Sequence, residues 1–171
     1  MESNIVIKRA SPVHIPSINA ILTHYALHTV ITFATAGISD QELLAKFQSI
    51  TSDHQLPFYV ATDEEQEERE EEVVVGYTYI SPFRPERLAY IHTGEVSLYV
   101  HPEHLYKGIG SALLKRVLEA TQRTRIREVL AFMAVDVESR EGGLGLRDFY
   151  VRWGFKEAGR MERVGWKLGR W

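Results

Sequence analysis

The chain contains no cysteine among its 171 residues. Disulfides, thiolate metal sites and cysteine nucleophiles are therefore excluded at once. No apolar run approaches the roughly 20 residues that cross a bilayer, and the start shows no signal-peptide pattern, so the sequence points to a soluble, cytoplasmic protein without a membrane partner. Neither a GxGxxG fingerprint nor a P-loop is present. A strong excess of either charge is also absent. The net charge is −3, far from the basicity of a nucleic-acid surface. There are no internal repeats and no linker-like segment, and 44% hydrophobic content over this length suits one domain, residues 1–171, with a substantial core.

What is present is unevenly placed. Asp63 to Glu72 holds eight acidic residues and one arginine, a local charge of −7 that leaves +4 on the rest of the chain. The run reads as a solvated loop, and the remainder suits a small anionic ligand. His24 and His28 stand one helical turn apart and His101 and His104 are close, yet neither pair has a third ligand at a recognised spacing, so no metal is expected.

Periodicity gives the elements in order. Asn4 to Arg9 alternates around Ile5 and Ile7 as a strand, ended by Ser11-Pro12, which can cap and start a helix running to about His28 with Pro16 tolerated in its first turns. Thr29 to Gly37 is apolar and β-branched. Ser39-Asp40 with Glu42 is an N-cap signal for a second, shorter helix. Pro57–Ala61 and Val73–Ile80 read as two strands of a hairpin around the acidic loop. Ser81 to Pro85 breaks this hairpin from a strand that begins near Tyr90 and ends at Val100. A helix from Gly108 to about Gln122 follows. The apolar stretch Glu128 to Val135 suggests a strand buried on both faces, then a helix from about Leu146 to Trp153, a terminating Gly154 and a last strand from Phe155. The layout is α/β with a mixed sheet.

One stretch organises the rest. In Glu95 to Val100 the apolar Val96, Leu98 and Val100 alternate with Glu95, Ser97 and Tyr99, as in a half-buried strand with one polar face. Further on, Lys107-Gly-Ile-Gly-Ser-Ala-Leu-Leu114 opens an amphipathic helix, whose first turn presents unpaired N–H groups and a positive dipole end. A phosphate is the natural occupant of such a helix start. The glycine pair alone is a weak signal, and Lys107 reads equally well as a solvent-facing lysine.

Together with Phe149-Tyr-Val-Arg-Trp-Gly-Phe155, this stretch resembles the GNAT superfamily of acyl-CoA-dependent N-acyltransferases. Phe83-Arg84, Arg87, Ala89-Tyr90, Thr32-Phe33 and Gly165 to Trp171 resemble its phosphinothricin acetyltransferase-like branch. The resemblance implies a mixed sheet that splays after Val100, flanked by helices. Acetyl-CoA would be the co-substrate, its pantetheine bonded to backbone at Leu98, Tyr99 and Val100 and its pyrophosphate held by Lys107, Gly108, Ile109, Gly110 and Ser111. Glu95 would be the general base and Tyr150 the proton donor to the departing thiolate. Thr32, Phe33, Arg84, Arg87 and Tyr90 would line the acceptor side, where an arginine suits a carboxylate.

Each of these residues has a plainer reading: Glu95 as a solvated strand residue, Tyr150 as a core tyrosine, Arg84 as a surface loop residue. The implied reaction is acetyl transfer to the amine of a small amino acid or its analogue. Another amine (a polyamine or a peptide N-terminus) and a degenerate acyl-CoA-binding module are the alternatives. Departures from the family pattern are Leu105 and Tyr106 at the start of the pyrophosphate loop, Gly94 before Glu95, Ala34-Thr-Ala-Gly37 after Thr32-Phe33, and a long Asp136–Gly145 segment. Gly94 reads as a possible bulge that re-aims Glu95. Relatives continue past Gly-Arg-Trp into a further strand, so the sequence raises the expectation of a truncated chain or a homodimer in which a second copy covers the sheet edge.

Overall fold

The computed structural model describes residues 4–64, 72–138 and 140–171. The expectation for the acidic loop falls largely on residues 65–71, outside the described residues. Two compact units are present, one built from the segments up to Ile21 and Ile38–Leu130, the other from Leu22–Gly37 and Ala131–Trp171. The strands are β1 (Ile5–Arg9), β2 (Phe58–Asp63), β3 (Val73–Pro82), β4 (Thr93–Val100) and β5 (Glu128–Leu130). The helices are α1 (Ile15–His28), α2 (Asp40–Gln48), α3 (Ile109–Thr121) and α4 (Gly145–Arg152). Among the described residues, no helix is long and apolar enough to cross a membrane.

The first unit is an open mixed sheet in the order β1-β2-β3-β4-β5, antiparallel throughout except for the parallel β4–β5 pair. Its two faces are filled differently. Alternation along β2, β3 and β4 puts Phe58, Tyr77, Tyr79 and Tyr99 on one face, where neighbouring rings stack at 4.8–6.3 Å and Phe47 of α2 meets Phe58 edge-on at 5.3 Å. The other face receives α3, whose Ile109, Leu113, Leu114 and Val117 are all buried. Burying one such side chain stabilises the fold by about 1.5–3 kcal/mol. The approach is close enough to require Gly76, where an added Cβ would lie 3.1 Å from Leu113 Cδ1 and 3.0 Å from the Tyr99 carbonyl.

Local signals hold well at the helix ends. Ser39 and Glu42 form the capping box, with the Ser39 N–H donating to Glu42 Oε2 at 2.8 Å and the Glu42 N–H to Ser39 Oγ at 3.2 Å. Ser11-Pro12 starts a short 3-10 turn, Pro12–His14, that leads into α1, and Pro16 sits in the first turn of that helix. Gly154 ends α4 at φ +87°, and the Phe155 N–H reaches back to the Tyr150 carbonyl at 3.2 Å.

Three expectations are corrected. The strand foreseen over Glu128–Val135 is only Glu128–Leu130, because it lies at the sheet edge and pairs with β4 over just three positions, and Phe132 is more exposed than buried. No strand forms from Phe155. Its ring instead packs on Tyr150 at 5.2 Å as the apolar contact that follows a helix C-terminal glycine, and the polar residues after it offer no alternation. Gly94 marks no bulge: the β3–β4 register runs unbroken from Gly76–Val100 to Pro82–Gly94. Gly94 is glycine because a Cβ there would stand 2.6 Å from Ile80 Cγ2 and 3.3 Å from Ile126 Cγ2. The irregularity in the sheet falls between Ala61 and Thr62 on β2 instead.

The second unit is held by its own contacts. Lys167 is buried and donates from Nζ to the Thr32 carbonyl at 2.7 Å and to the Tyr25 carbonyl at 3.4 Å, and burial pushes its ammonium below the ordinary lysine value. The Phe33 ring lies where a Cβ on Gly165 would come within 2.6 Å of it. The Gly165 to Trp171 segment therefore organises Thr32 and Phe33.

Candidate active site

β4 places the candidate residues of the first unit along its length. Glu95 faces the side of the sheet covered by α2, paired with Ser81 of β3 and with Leu130 of β5. It is half-buried, and its carboxylate makes no hydrogen bond or ion pair to any described residue. Burial pushes the Glu95 carboxyl above the ordinary carboxylate range, and the positive charge of Lys46 opposes that shift in smaller measure. Lys46 comes from α2 and donates from Nζ to the Tyr79 hydroxyl at 2.7 Å while lying 4.8 Å from the centre of the same ring. Sequence reasoning did not single out Lys46. The available signal was a lysine beside the buried Phe47 on an amphipathic helix.

The backbone of β4 is as informative as its side chains. The His101 N–H donates to the Val75 carbonyl at 2.8 Å and the Phe83 N–H to the Thr93 carbonyl at 3.1 Å, so odd-numbered residues of β4 direct their backbone groups to β3. Even-numbered residues therefore direct theirs to the β5 side. The pairing with β5 ends at Glu95–Leu130. Leu98 thus points its N–H and C=O groups past the end of the ladder, as a site for an extended amide-bearing chain requires.

Beyond Val100, Pro102–His104 forms a 3-10 turn, and the chain enters α3 through Gly108 at φ +80°. The first intrahelical bond runs from the Ala112 N–H to the Gly108 carbonyl at 3.1 Å, so the amides of Ile109, Gly110 and Ser111 have no intrahelical acceptor, and no side chain caps them. A Cβ on Gly108 would meet nothing within 4 Å. The glycine serves its left-handed backbone, not a shortage of space. Tyr106 adopts φ +62° and is 88% exposed beside this turn. This helix start fits an anionic phosphate.

At the other end of β4, residues 83–92 connect β3 to β4 next to Glu95. Tyr90 packs edge-on against Phe83 at 5.2 Å, and the Arg84 guanidinium lies 5.3 Å from the same ring. Arg84 takes φ +45°, and Arg87 is exposed, 3.9 Å from Glu86. The structure therefore gathers Glu95, Arg84, Arg87 and Tyr90 at one end of β4 and Lys107 to Ser111 at the other. Thr32, Phe33 and Tyr150 belong to the second unit. Tyr150 is buried there, with the rings of Phe149 and Phe155 against it at 5.3 and 5.2 Å. Among the described residues, no three histidine, aspartate or glutamate side chains form a group that could hold a metal ion.

A family model described as the acetyltransferase (GNAT) family matches residues 23–155. The chain belongs to that family. It is 31% identical to a phosphinothricin N-acetyltransferase of Alcaligenes faecalis over 157 residues, covering 92% of this chain and 73% of that protein. It is 30% identical to an L-methionine sulfoximine/L-methionine sulfone acetyltransferase of Salmonella typhimurium, with 91% and 82% covered. A solved GNAT phosphinothricin acetyltransferase of Sinorhizobium meliloti, in complex with acetyl-CoA, superposes with a TM-score of 0.82 at 31% identity, covering all of this chain and 84% of that one. This GNAT chain is therefore an acyl-CoA-dependent N-acetyltransferase with acetyl-CoA as its co-substrate.

Proposed function

We propose that this enzyme transfers the acetyl group of acetyl-CoA to the α-amine of a small amino acid or amino-acid analogue, by direct attack in a ternary complex. The observation that carries this reading is the half-buried Glu95, unpaired and with a raised pKa, on the strand that leads to the open amides of α3. An amine attacks only when neutral, and a carboxylate raised above its ordinary range is better matched to an ammonium proton than an exposed one. Glu95 takes that proton through one water, the amine nitrogen forms a bond to the acetyl carbon, and the carbon–sulfur bond breaks.

Acetyl-CoA supplies the activated thioester. The residues around its site do the rest. The backbone of β4 at Leu98 and Val100 aligns the pantetheine arm and leads the thioester toward the Glu95 end of the strand, whereas Tyr99, expected to join them, has its backbone groups committed to β3. Lys107 and the amides of Gly108, Ile109, Gly110 and Ser111 hold the pyrophosphate. From Glu95 to Val100 is about 17 Å along an extended strand, a length suited to an extended pantetheine arm. The roles of Tyr150 as proton donor to the thiolate, and of Thr32 and Phe33 as acceptor contacts, rest on the family resemblance. Arg84 and Arg87 suit the acceptor's carboxylate, in keeping with the amino-acid analogues named for the relatives. The enzyme is further proposed to act as one catalytic domain, in the cytoplasm, as a homodimer; a sedimentation mass of a single chain would remove the last point.

Thiol release from acetyl-CoA over a panel of amines tests the reaction. Turnover is expected with amino acids and analogues bearing a free α-amine, and Glu95→Gln should lower it with CoA affinity retained. Tight CoA binding with no turnover on any amine would instead indicate a binding module, and turnover confined to polyamines would overturn the acceptor class.

A further inference from the structure

A cleft of about 560 Å³, within the range of small-molecule sites, opens beside the end of β1, the start of β2 and the C-terminal end of α3. Arg9 from the end of β1, Arg116 from α3 and Arg123 from the turn that follows α3 line it, over a floor that includes Leu56, Phe58 and Tyr59. Arg116 lies 5.0 Å from the centre of the buried Tyr59 ring, a cation–π contact that uses none of its N–H donors on a hydrogen bond.

Their neighbours behave differently. Arg125 spends its donors on the His54 and Ile91 carbonyls and Arg127 on those of Thr124 and Ile126. Arg9, Arg116 and Arg123 make no side-chain hydrogen bond or ion pair to any described residue. Glu119 also lines the cleft and stands one helical turn from both Arg116 and Arg123, yet pairs with neither. Three guanidinium groups and one carboxylate leave a local charge of about +2 in a chain whose net charge is −3. The four side chains are exposed, so solvent screens their mutual repulsion, and an anion seated in the cleft would gain from the three guanidinium groups together. The negative end of α3 does not oppose such an anion directly. The Leu118, Ala120 and Thr121 carbonyls there accept from the Gln122, Arg123 and Thr124 N–H groups.

We propose that this cleft is a second binding site, separate from the acetyl-CoA site, for a small multivalent anion carrying phosphate or carboxylate groups. Bidentate contacts from the three guanidinium forks hold its oxygens, and the apolar floor bounds its body. Calorimetric titration of the full chain with inorganic pyrophosphate and, separately, citrate tests this, with and without saturating CoA so that the α3 helix start is filled in one arm. At least one anion should bind under CoA saturation, the stronger of the two identifying phosphate or carboxylate as the preferred group. Its affinity should fall about tenfold or more in Arg116→Gln/Arg123→Gln. CoA affinity should stay unchanged. Arg9→Gln, at an exposed position on a different element, repeats the test if the helix variant folds poorly. Absence of binding by both anions, or binding that the arginine substitutions leave unaltered, overturns the proposal.

Discussion

Gly94→Ala is the sharpest perturbation of the β4 frame. The added Cβ would stand 2.6 Å from Ile80 Cγ2, about 1 Å inside an ordinary carbon–carbon contact. Ile80 is fully buried, and Ile126 Cγ2 at 3.3 Å and the Ser81 carbonyl at 3.4 Å close the other directions. Either Ile80 leaves its rotamer or β3 and β4 shift, and overpacking of this kind costs about 1–3 kcal/mol. Replacing glycine returns about 0.4–1 kcal/mol through the unfolded chain. The net destabilisation is then about 1–2 kcal/mol, a fall of roughly 2–8 °C in melting temperature for a chain of this size. Thermal and urea unfolding of Gly94→Ala, Ile80→Ala and the double variant measure it. With the Ile80 side chain removed, the Gly94→Ala step should cost little or become stabilising. A Gly94→Ala protein that melts at or above the parent, or a step that costs as much without Ile80 as with it, would refute the steric account.

Lys46→Met removes the charge that lowers the Glu95 pKa, so the pKa rises further. As the base must be ionised, the rising limb of the kcat/KM pH profile should move to higher pH, with CoA affinity unchanged. Gly108→Ala forces a side chain into φ +80° in open space, so it should destabilise by about 1–2 kcal/mol in denaturant titrations and weaken CoA binding in calorimetry. Lys167→Met removes the Lys167 donor from the Thr32 carbonyl, while the Tyr25 carbonyl keeps the Thr29 hydroxyl, and should cost about 1–3 kcal/mol in thermal unfolding.

What the sequence made legible is local. The Ser39–Glu42 box, the alternation along β4 and Gly154 after α4 each depend on residues within a turn or a strand of one another, and each stands where the pattern put it. What it hid depends on partners far along the chain. The apolar residues after Glu128 look like a central strand, because hydrophobic content does not reveal that β4 offers only three pairing positions. Gly94 looks like a bulge until Ile80 and Ile126 are brought against it. Gly165 has no local reason at all, and becomes intelligible only with the Phe33 ring above it. Lys46 escaped notice because its effect on Glu95 is electrostatic and crosses from α2 to β4.

The same distinction separates the two kinds of group that β4 presents. Antiparallel pairing fixes β4 to β3 from Pro82–Gly94 to Gly76–Val100, so the odd-numbered residues have their backbone groups committed and their side chains on the α2 face. Glu95 is therefore anchored by its main chain while its carboxylate stays unpaired. The even-numbered residues have the reverse assignment, with side chains toward α3 and backbone groups toward β5. Had β5 run the full length of β4, Leu98 would have given those groups to the ladder. The Leu98 backbone groups reach beyond the ladder because its last pair is Glu95–Leu130, the pair that also holds the proposed base. A substitution that lengthens β5 would thus be expected to impair acetyl-CoA binding before it disturbs Glu95.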